Sequence, residues 1–207
     1  HALGESKPRA VKKSSSLSTG RPVKGAPAPG ARKGPLASWI APQLATLVSS
    51  VPEGPDWVHE LKYDGYRMLC RVKDRTATLL TRNGHDWTAK LPHIAAAAAG
   101  LPVRTAWLDG EVVALLPNGR ISFQRLQNAF DAHIDQELIY FVFDLLYLDG
   151  YDLRASPLLE RKRLLSALLQ NRRPSALIRF SDHIAGQGEI AFAEACRSGM
   201  EGLIAKR

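Results

Sequence analysis

From Trp39 onward, apolar and polar residues follow the spacings that are typical of strands and helices. Two stretches, "DWVHELKYDGYRMLCRVKD" and "TATLLTRNGHDW", predict β-strands around the turn signals Asp64-Gly65 and Asn83-Gly84. "AWLDGEVVALLPNGRISF" predicts two further strands joined by "PNG", and the apolar run in "QELIYFVFDLLYLDGYDL" predicts a buried strand. The pattern therefore predicts a β-rich fold with several hairpins.

Helical patterns separate these strands. "LPHIAAAAAG" predicts a short helix ending at Gly100, and "FQRLQNAFDAH" predicts a second helix. In "SPLLERKRLLSALLQNR" we expect Ser156 at the N-cap and Pro157 at the first helical position. "GEIAFAEACRSG" predicts a helix ending at Gly199, followed by a last strand in "EGLIAKR". Because regular βαβ alternation is absent, we predict an α+β domain of mostly antiparallel sheets flanked by helices over residues 39–207.

Residues 1–38 have a different composition. They are rich in Pro, Gly, Ala and Ser and contain no aromatic residue, which leaves too little apolar surface to offset the entropy of ordering. Of the 28 basic and 20 acidic residues of the chain, eight basic and one acidic residue lie here, leaving a nearly neutral remainder of 20 and 19. We predict a basic, disordered inter-domain linker, which either attracts DNA phosphates non-specifically or acts as a soluble spacer.

The remaining composition argues against several classes of protein. No apolar run approaches the roughly 18 residues of a membrane span, and the first residues lack the apolar region of a secretory signal. Cys70 and Cys196 stand far apart, in neither a zinc nor a disulfide pattern, which suits a reducing compartment. Because the sequence begins with His and stops in a strand-like run, we expect a fragment of a larger protein.

The stretch "HELKYDGYR" offers candidate chemistry. A lysine amine attacks phosphorus only when it is neutral, so a site that uses Lys62 must lower a pKa that is ordinarily about 10.4. Arg67 could hold phosphate oxygens with two parallel hydrogen bonds, and Gly65 would let a phosphate approach the backbone. The same residues also fit an ordinary hairpin tip flanked by basic residues, and this stretch alone leaves both interpretations open.

Further polar and aromatic residues follow in otherwise apolar surroundings. Arg82 lies beside a tight turn, Glu111 lies in an apolar strand, and Phe143 lies in the long buried strand. Glu201 and Lys206 mark the two ends of the last strand. Each residue has a structural explanation when it is taken alone, as a hairpin-tip charge, an edge carboxylate or a core aromatic.

Together, these motifs resemble those of the ATP-dependent DNA ligases. "ELKYDGYR", "TRNGHDWT", "WLDGE", "LQNAFD", "FDLLYLDGYDLR" and "EGLIAKR" are similar to the ligase domain of the bacterial multifunctional end-joining ligases. The resemblance spans about residues 39–207 and implies a nucleotidyltransferase (ATP-grasp-like) fold. It also implies a role in DNA double-strand break repair in the bacterial cytoplasm, at the nucleoid.

The resemblance assigns a role to each motif residue. It makes Lys62 the nucleophile that attacks the α-phosphate of ATP, expels pyrophosphate and becomes lysyl-AMP. Glu60 is expected to accept a hydrogen bond from the adenine 6-amino group, and Phe143 to stack on the adenine ring, as aromatic platforms do for bases.

The other assigned residues surround the ribose, the phosphates and a metal. Arg67 and Arg82 match positions that contact the nucleotide and later the 5′-phosphate of a nick. Glu111 matches an acidic residue near the ribose and the metal, and Glu201 matches a metal-site carboxylate. Lys206 matches a basic residue near the phosphates. Carboxylates of this kind suit Mg²⁺ or Mn²⁺ rather than zinc.

The resemblance also implies partners, and it leaves alternatives. Nicked or broken duplex DNA is the implied substrate, with phosphoesterase, polymerase and oligonucleotide-binding (OB-fold) domains in the same polypeptide and a DNA-end-binding protein as a possible partner. By the same resemblance, we expect the last adenylation motif and the OB-fold to lie beyond Arg207. A capping guanylyltransferase shares K-x-D-G-x-R, but the Glu60 carboxylate would repel guanine O6. An RNA ligase, or a non-catalytic DNA-end-binding module that uses the basic tail, remains an alternative.

Overall fold

The computed structural model describes residues 27–132, 134–170 and 177–207. Within these ranges the strands are β1 (Arg32–Lys33), β2 (Val58–Leu61), β3 (Tyr66–Lys73), β4 (Thr76–Thr81), β5 (Thr105–Ala114), β6 (Leu138–Leu148), β7 (Tyr151–Asp152), β8 (Ile178–Phe180), β9 (His183–Ala185) and β10 (Leu203–Lys206). The helices are α1 (Pro92–Ala99), α2 (Phe123–Asp131), α3 (Leu158–Gln170) and α4 (Gly188–Arg197), with short 3₁₀ helices at Thr88–Lys90 and Asp135–Glu137. None of the helices in these ranges is long and apolar enough to cross a membrane.

Two sheets form the framework. The large sheet has the strand order β1-β7-β6-β5-β3-β4, and every neighbour in this order is antiparallel. Strand β8 joins it by pairing in parallel with the first part of β6. The small sheet has the antiparallel order β10-β2-β9. These mixed sheets and helices confirm the predicted α+β class with mostly antiparallel strands.

The main core lies on one face of the large sheet. Alternate residues of β3, β5 and β6 point toward α1, α2 and α3, among them Met68, Val112 and Tyr140. The opposite face of the same strands carries Arg67, Glu111 and other polar residues, so the alternation that builds the core also defines a separate polar surface.

The hairpin predicted at Asp64-Gly65 is wrong, because β2 and β3 belong to different sheets. Strand β2 pairs with β10 and β9. Strand β3 forms its hairpin with β4 instead, through Asp74 and Arg75, which both have the positive φ that a two-residue turn needs. Four residues, 62–65, therefore connect the two sheets.

The other turn signals have mixed outcomes. Asn83-Gly84 does form a turn: Gly84 has a φ of +82°, and an antiparallel bridge joins Leu80 to Asp86. The second strand expected after "PNG" is reduced to one bridge between Leu115 and Ile121. The chain enters α2 directly afterwards, so no room remains for a longer strand.

The helices match their predictions apart from the start of α3. Helix α1 is followed by Gly100, and α4 ends just before Gly199, whose φ is +67°. Helix α3 begins at Leu158, and the Pro157 carbonyl accepts its first hydrogen bonds. Pro157 thus takes the capping position that was expected for Ser156, whose buried hydroxyl has no hydrogen-bond partner in the described part of the chain.

Residues 27–38 differ from the linker prediction, because they pack on the domain. Strand β1 pairs with β7, the Trp107 indole donates to the Ala37 carbonyl at 3.1 Å, and the Tyr147 hydroxyl donates to the Gly34 carbonyl at 2.8 Å. This segment covers a small apolar cluster on the polar face of the large sheet, formed by Ile40, Leu69, Trp107, Leu146 and Tyr147. Residues 1–26 lie outside the described ranges, and for them the linker stays a prediction.

Candidate active site

The predicted site residues meet between the two sheets. On the large sheet, Arg67 of β3 pairs in register with Glu111 of β5, which pairs with Phe141 of β6. The small sheet brings Glu60 and Lys206 to the same place, and Lys62 follows directly after β2. The ring of Tyr63 stacks on Phe141 with centroids 4.6 Å apart, which ties the connection between the sheets to the polar face.

Lys62 is held by its backbone and by one carboxylate. Its N–H donates to the Gly202 carbonyl at 2.9 Å, just before β10. Its ammonium group forms an ion pair with Glu201. The half-exposed side chain is therefore anchored at its base and remains accessible at its reactive end.

Glu60 is buried between two lysines. Its side chain is 2 % exposed, and its Oε1 atom lies 2.9 Å from the Lys206 Nζ and 3.2 Å from the Lys162 Nζ. These are ion-pair distances without hydrogen-bond alignment. A charge this deeply buried needs compensation, and here the two ammonium groups provide it.

Two cations flank the Phe143 ring. The Lys206 Nζ lies 4.2 Å and the Arg67 Cζ 4.7 Å from its centroid, both within cation–π range. The ring therefore forms a wall next to the Glu60 carboxylate.

Arg67 is oriented by Asp109. Its Nε and Nη2 donate to the two Asp109 oxygens at 2.7 and 2.8 Å, the planar two-point geometry of the strong arginine–carboxylate pair. Burial raises the pKa of Asp109, and the Arg67 charge opposes that rise. These two hydrogen bonds fix the orientation of the Arg67 guanidinium group on the large sheet.

Glu111 is the unpaired carboxylate of the site. Burial raises its pKa to about 7, the nearby Arg67 and Lys62 charges oppose the rise, and Asp109 and Asp64 reinforce it. It forms no hydrogen bond or ion pair with any residue in the described ranges. A cation placed beside such a carboxylate would stabilise its ionised form.

The matches to known proteins fit this geometry. The family model described as "ATP dependent DNA ligase domain" matches residues 41–207. The chain belongs to this family.

Similar proteins of the ligase family carry more specific names. The "Multifunctional non-homologous end joining protein LigD" of Pseudomonas aeruginosa is 49 % identical over 84 % of this chain and 21 % of its own length. A protein of the same name from Mycobacterium bovis is 36 % identical over 81 % of the chain and 21 % of its length. The chain thus spans about a fifth of the length of these two relatives.

Solved ligase structures share the fold. A structure described as "mycobacterial DNA ligase D complexed with ATP and MES" has a TM-score of 0.69 and 34 % identity, covering 81 % of this chain and 54 % of that one. The ligase domain from M. tuberculosis LigD has a TM-score of 0.64 and 35 % identity, covering 73 % and 48 %. These matches confirm the nucleotidyltransferase fold of the ligase domain.

Arg82 is the one predicted site residue that makes no described contact with the others. It is exposed in the turn after β4, and within the described ranges it makes no ion pair or hydrogen bond with another site residue. The other seven predicted residues come together where the two sheets meet: Glu60, Lys62, Arg67, Glu111, Phe143, Glu201 and Lys206.

Sequence reasoning missed three side chains that support this site. Asp109 could have been found, because it precedes Glu111 by two residues in the same strand, and strand alternation places both on one face. Lys162 carried a subtler signal, because it interrupts the buried leucine stripe of α3 at a core-facing position. Arg161 binds both Asp144 oxygens at 2.7 and 2.9 Å, a pairing that only the packing of α3 on β6 reveals.

Proposed function

We propose that this ligase domain activates itself with ATP through Lys62. The Lys62 nitrogen attacks the α-phosphate, the bond to the bridging oxygen breaks, pyrophosphate leaves, and the nitrogen loses a proton to become a phosphoramidate, lysyl-AMP. The observation that supports this proposal is that Lys62 pairs with Glu201 where the two sheets meet, the place at which Arg67, Glu111, Phe143 and Glu60 also come together. Phosphoryl transfer depends chiefly on such positioning and on charge neutralisation.

The surrounding residues would bind the nucleotide. Glu60 would accept the adenine 6-amino hydrogen bond and Phe143 would stack on the base. The Lys206 ammonium now lies over that ring, so a base stacked on the same face would displace Lys206 toward the phosphates. Arg67, fixed by Asp109, and the exposed Arg82 would contact phosphate oxygens.

The carboxylates fit a divalent cation. In the described ranges no cluster of three or more His, Cys, Asp or Glu side chains is arranged to hold a metal by itself. The unpaired Glu111 and the accessible Glu201 would therefore share Mg²⁺ or Mn²⁺ with phosphate oxygens and water, as magnesium sites in nucleotide enzymes usually do. Such an ion would supply positive charge that stabilises the leaving pyrophosphate and favours a neutral Lys62.

For the whole protein, we propose that AMP passes to a DNA 5′-phosphate and that a 3′-hydroxyl then displaces AMP and seals the strand. The similarity to end-joining proteins supports a role in double-strand break repair, with phosphoesterase, polymerase and OB-fold domains in one polypeptide and a possible end-binding partner.

The decisive experiment is incubation with α-labelled ATP and Mg²⁺, using wild type and Lys62→Ala. We expect covalent label on the wild type and none on the variant, with thermal unfolding showing that both are folded. Label that stays on Lys62→Ala would overturn Lys62 as the nucleophile. Repeating the measurement on the full-length protein shows whether segments beyond this chain are needed.

A further inference from the structure

Lys162 occupies an unusual place for a lysine. It lies on the buried stripe of α3, four residues after Leu158 and three before Leu165, and its side chain is 1 % exposed. Moving an ammonium group out of water is expensive, so a buried lysine is retained only where its surroundings compensate it. Burial lowers the pKa of Lys162, and the Glu60 charge opposes that shift.

The partners of Lys162 all belong to the base end of the proposed nucleotide pocket. Its Nζ lies 3.2 Å from the Glu60 Oε1 and donates to the Ser181 carbonyl at 3.2 Å. The Phe180 ring centroid lies 5.1 Å away. Ser181 is itself anchored, because its N–H donates to the Val142 carbonyl at 2.8 Å, so this end of the lysine is fixed to the large sheet.

Glu60 has two lysine partners that differ in freedom to move. Lys206 is 24 % exposed and its ammonium group lies over the Phe143 ring, whereas Lys162 is only 1 % exposed. Both approach the same carboxylate oxygen, Oε1. The other oxygen, Oε2, receives no hydrogen bond from any residue that the structure describes, which leaves it as the acceptor for a ligand.

We propose that Lys162 is a positioning residue for adenine recognition, holding the Glu60 carboxylate in place by one oxygen so that the other accepts the 6-amino group. This inference rests on the proposed role of Glu60. Lys206 is free to turn toward the phosphates when a base stacks on Phe143, and Lys162 then remains as the enclosed cation beside the buried Glu60 carboxylate. Without Lys162, the carboxylate would lose its fixed cation and could turn, so its free oxygen would no longer face the 6-amino group.

The test compares two nucleotides that differ only in the 6-amino group. Dissociation constants of ATP and of purine riboside 5′-triphosphate are measured by calorimetry in EDTA, where no metal supports the covalent step. The purine riboside nucleotide lacks the hydrogen bond to a charged acceptor that ATP would make. We therefore expect it to bind wild type about tenfold or more weakly than ATP does. For Lys162→Met we expect this ratio to fall to about threefold or less.

Two further variants separate positioning from folding. Arg163→Met changes the next residue of the same helix, which is exposed and pairs with Glu160, and it should retain the wild-type ratio. Should thermal unfolding show that Lys162→Met is not folded, Lys162→Gln, which can still donate to Ser181 but carries no charge, replaces it with the same expected fall in ratio.

Each outcome has a distinct meaning. A purely structural role for Lys162 would weaken both nucleotides equally, leave the ratio at its wild-type value and overturn the inference. A wild-type ratio near one would instead overturn the adenine role of Glu60, on which the inference rests. The Lys62 labelling experiment is independent of both results.

Discussion

Charged side chains in this domain leave water mainly in pairs. Arg67 of β3 with Asp109 of β5, and Arg161 of α3 with Asp144 of β6, each form two parallel hydrogen bonds. Asp109 and Asp144 are partners in register across β5 and β6, and each arginine compensates the charge of its own carboxylate at this point of the sheet. Glu111 departs from this pattern: burial raises the pKa of its carboxyl group to about 7, and it forms no ion pair with any residue in the described ranges.

Removal of Asp109 tests the value of a buried pair. Asp109→Ala leaves the partly buried Arg67 uncompensated, and we expect it to lower the free energy of unfolding by about 3 kcal/mol. The control is Asp152→Ala, which breaks a pair of similar geometry with Arg154 in a more exposed position and should cost less than about 1 kcal/mol. Both values come from urea denaturation. Equal losses in the two variants would contradict the importance of burial.

The raised pKa of Glu111 predicts a pH-dependent stability. At pH values between 4.5, the ordinary pKa of the Glu111 carboxyl group, and about 7, the folded protein binds this proton more tightly than the unfolded chain does. The free energy of unfolding therefore loses this contribution as the pH rises through that window. Glu111→Gln lacks this loss, so its stability relative to wild type should increase by up to about 3 kcal/mol from pH 5 to pH 8.

Urea denaturation in EDTA at several pH values measures that difference. EDTA is essential, since a bound divalent cation would itself favour the ionised carboxylate. A constant difference between Glu111→Gln and wild type across this range would show that Glu111 titrates normally.

The connection between β2 and β3 decides how the two sheets meet. It contains Lys62 and Tyr63 and ends at Gly65, where β3 begins its pairing with β5. A Cβ on Gly65 would overlap the Val112 carbonyl oxygen and lie 2.9 Å from the Val113 Cγ1. The glycine thus permits close approach to β5, and the short connection fixes Lys62 relative to Glu111.

Gly65→Ala should separate this connection from β5. Because the clash involves backbone, we expect a loss of about 2 kcal/mol in the free energy of unfolding, together with slower formation of lysyl-AMP. Gly34→Ala is the matched control, as a Cβ there meets no atom within 4 Å, and it should change stability by less than about 1 kcal/mol. Unchanged stability and labelling in Gly65→Ala would show that β5 yields without cost.

For the molecule as a whole, the boundary of the folded unit lies upstream of Trp39. Residues 27–38 add an edge strand to the large sheet and cover the apolar cluster around Trp107. Their composition resembles that of a linker, but their backbone carbonyls satisfy two buried side-chain donors, Trp107 and Tyr147. The segment therefore belongs to the structural unit of the domain.

Two deletions test this boundary. Removing residues 1–26 should leave the unfolding midpoint unchanged, as expected of a linker. Removing residues 1–38 exposes the Trp107 cluster and leaves two donors without partners, so we expect a loss of about 2 kcal/mol or more. The measurement is thermal unfolding followed by tryptophan fluorescence. Identical midpoints for the two deletions would place the boundary at residue 38 after all.

The sequence by itself predicted most of the longer elements and the candidate residues of the proposed site, because both predictions depend on local information. Side-chain periodicity marked β5, β6 and the four helices, and motif spelling marked Lys62, Glu111 and Phe143. Only the tertiary structure decided which strands pair and which buried charges are compensated. The Asp64-Gly65 turn signal could not show that β10 and β9 occupy both edges of β2. Likewise, Lys162 is separated from Glu60 by about a hundred residues, and only the packing of α3 brings them together.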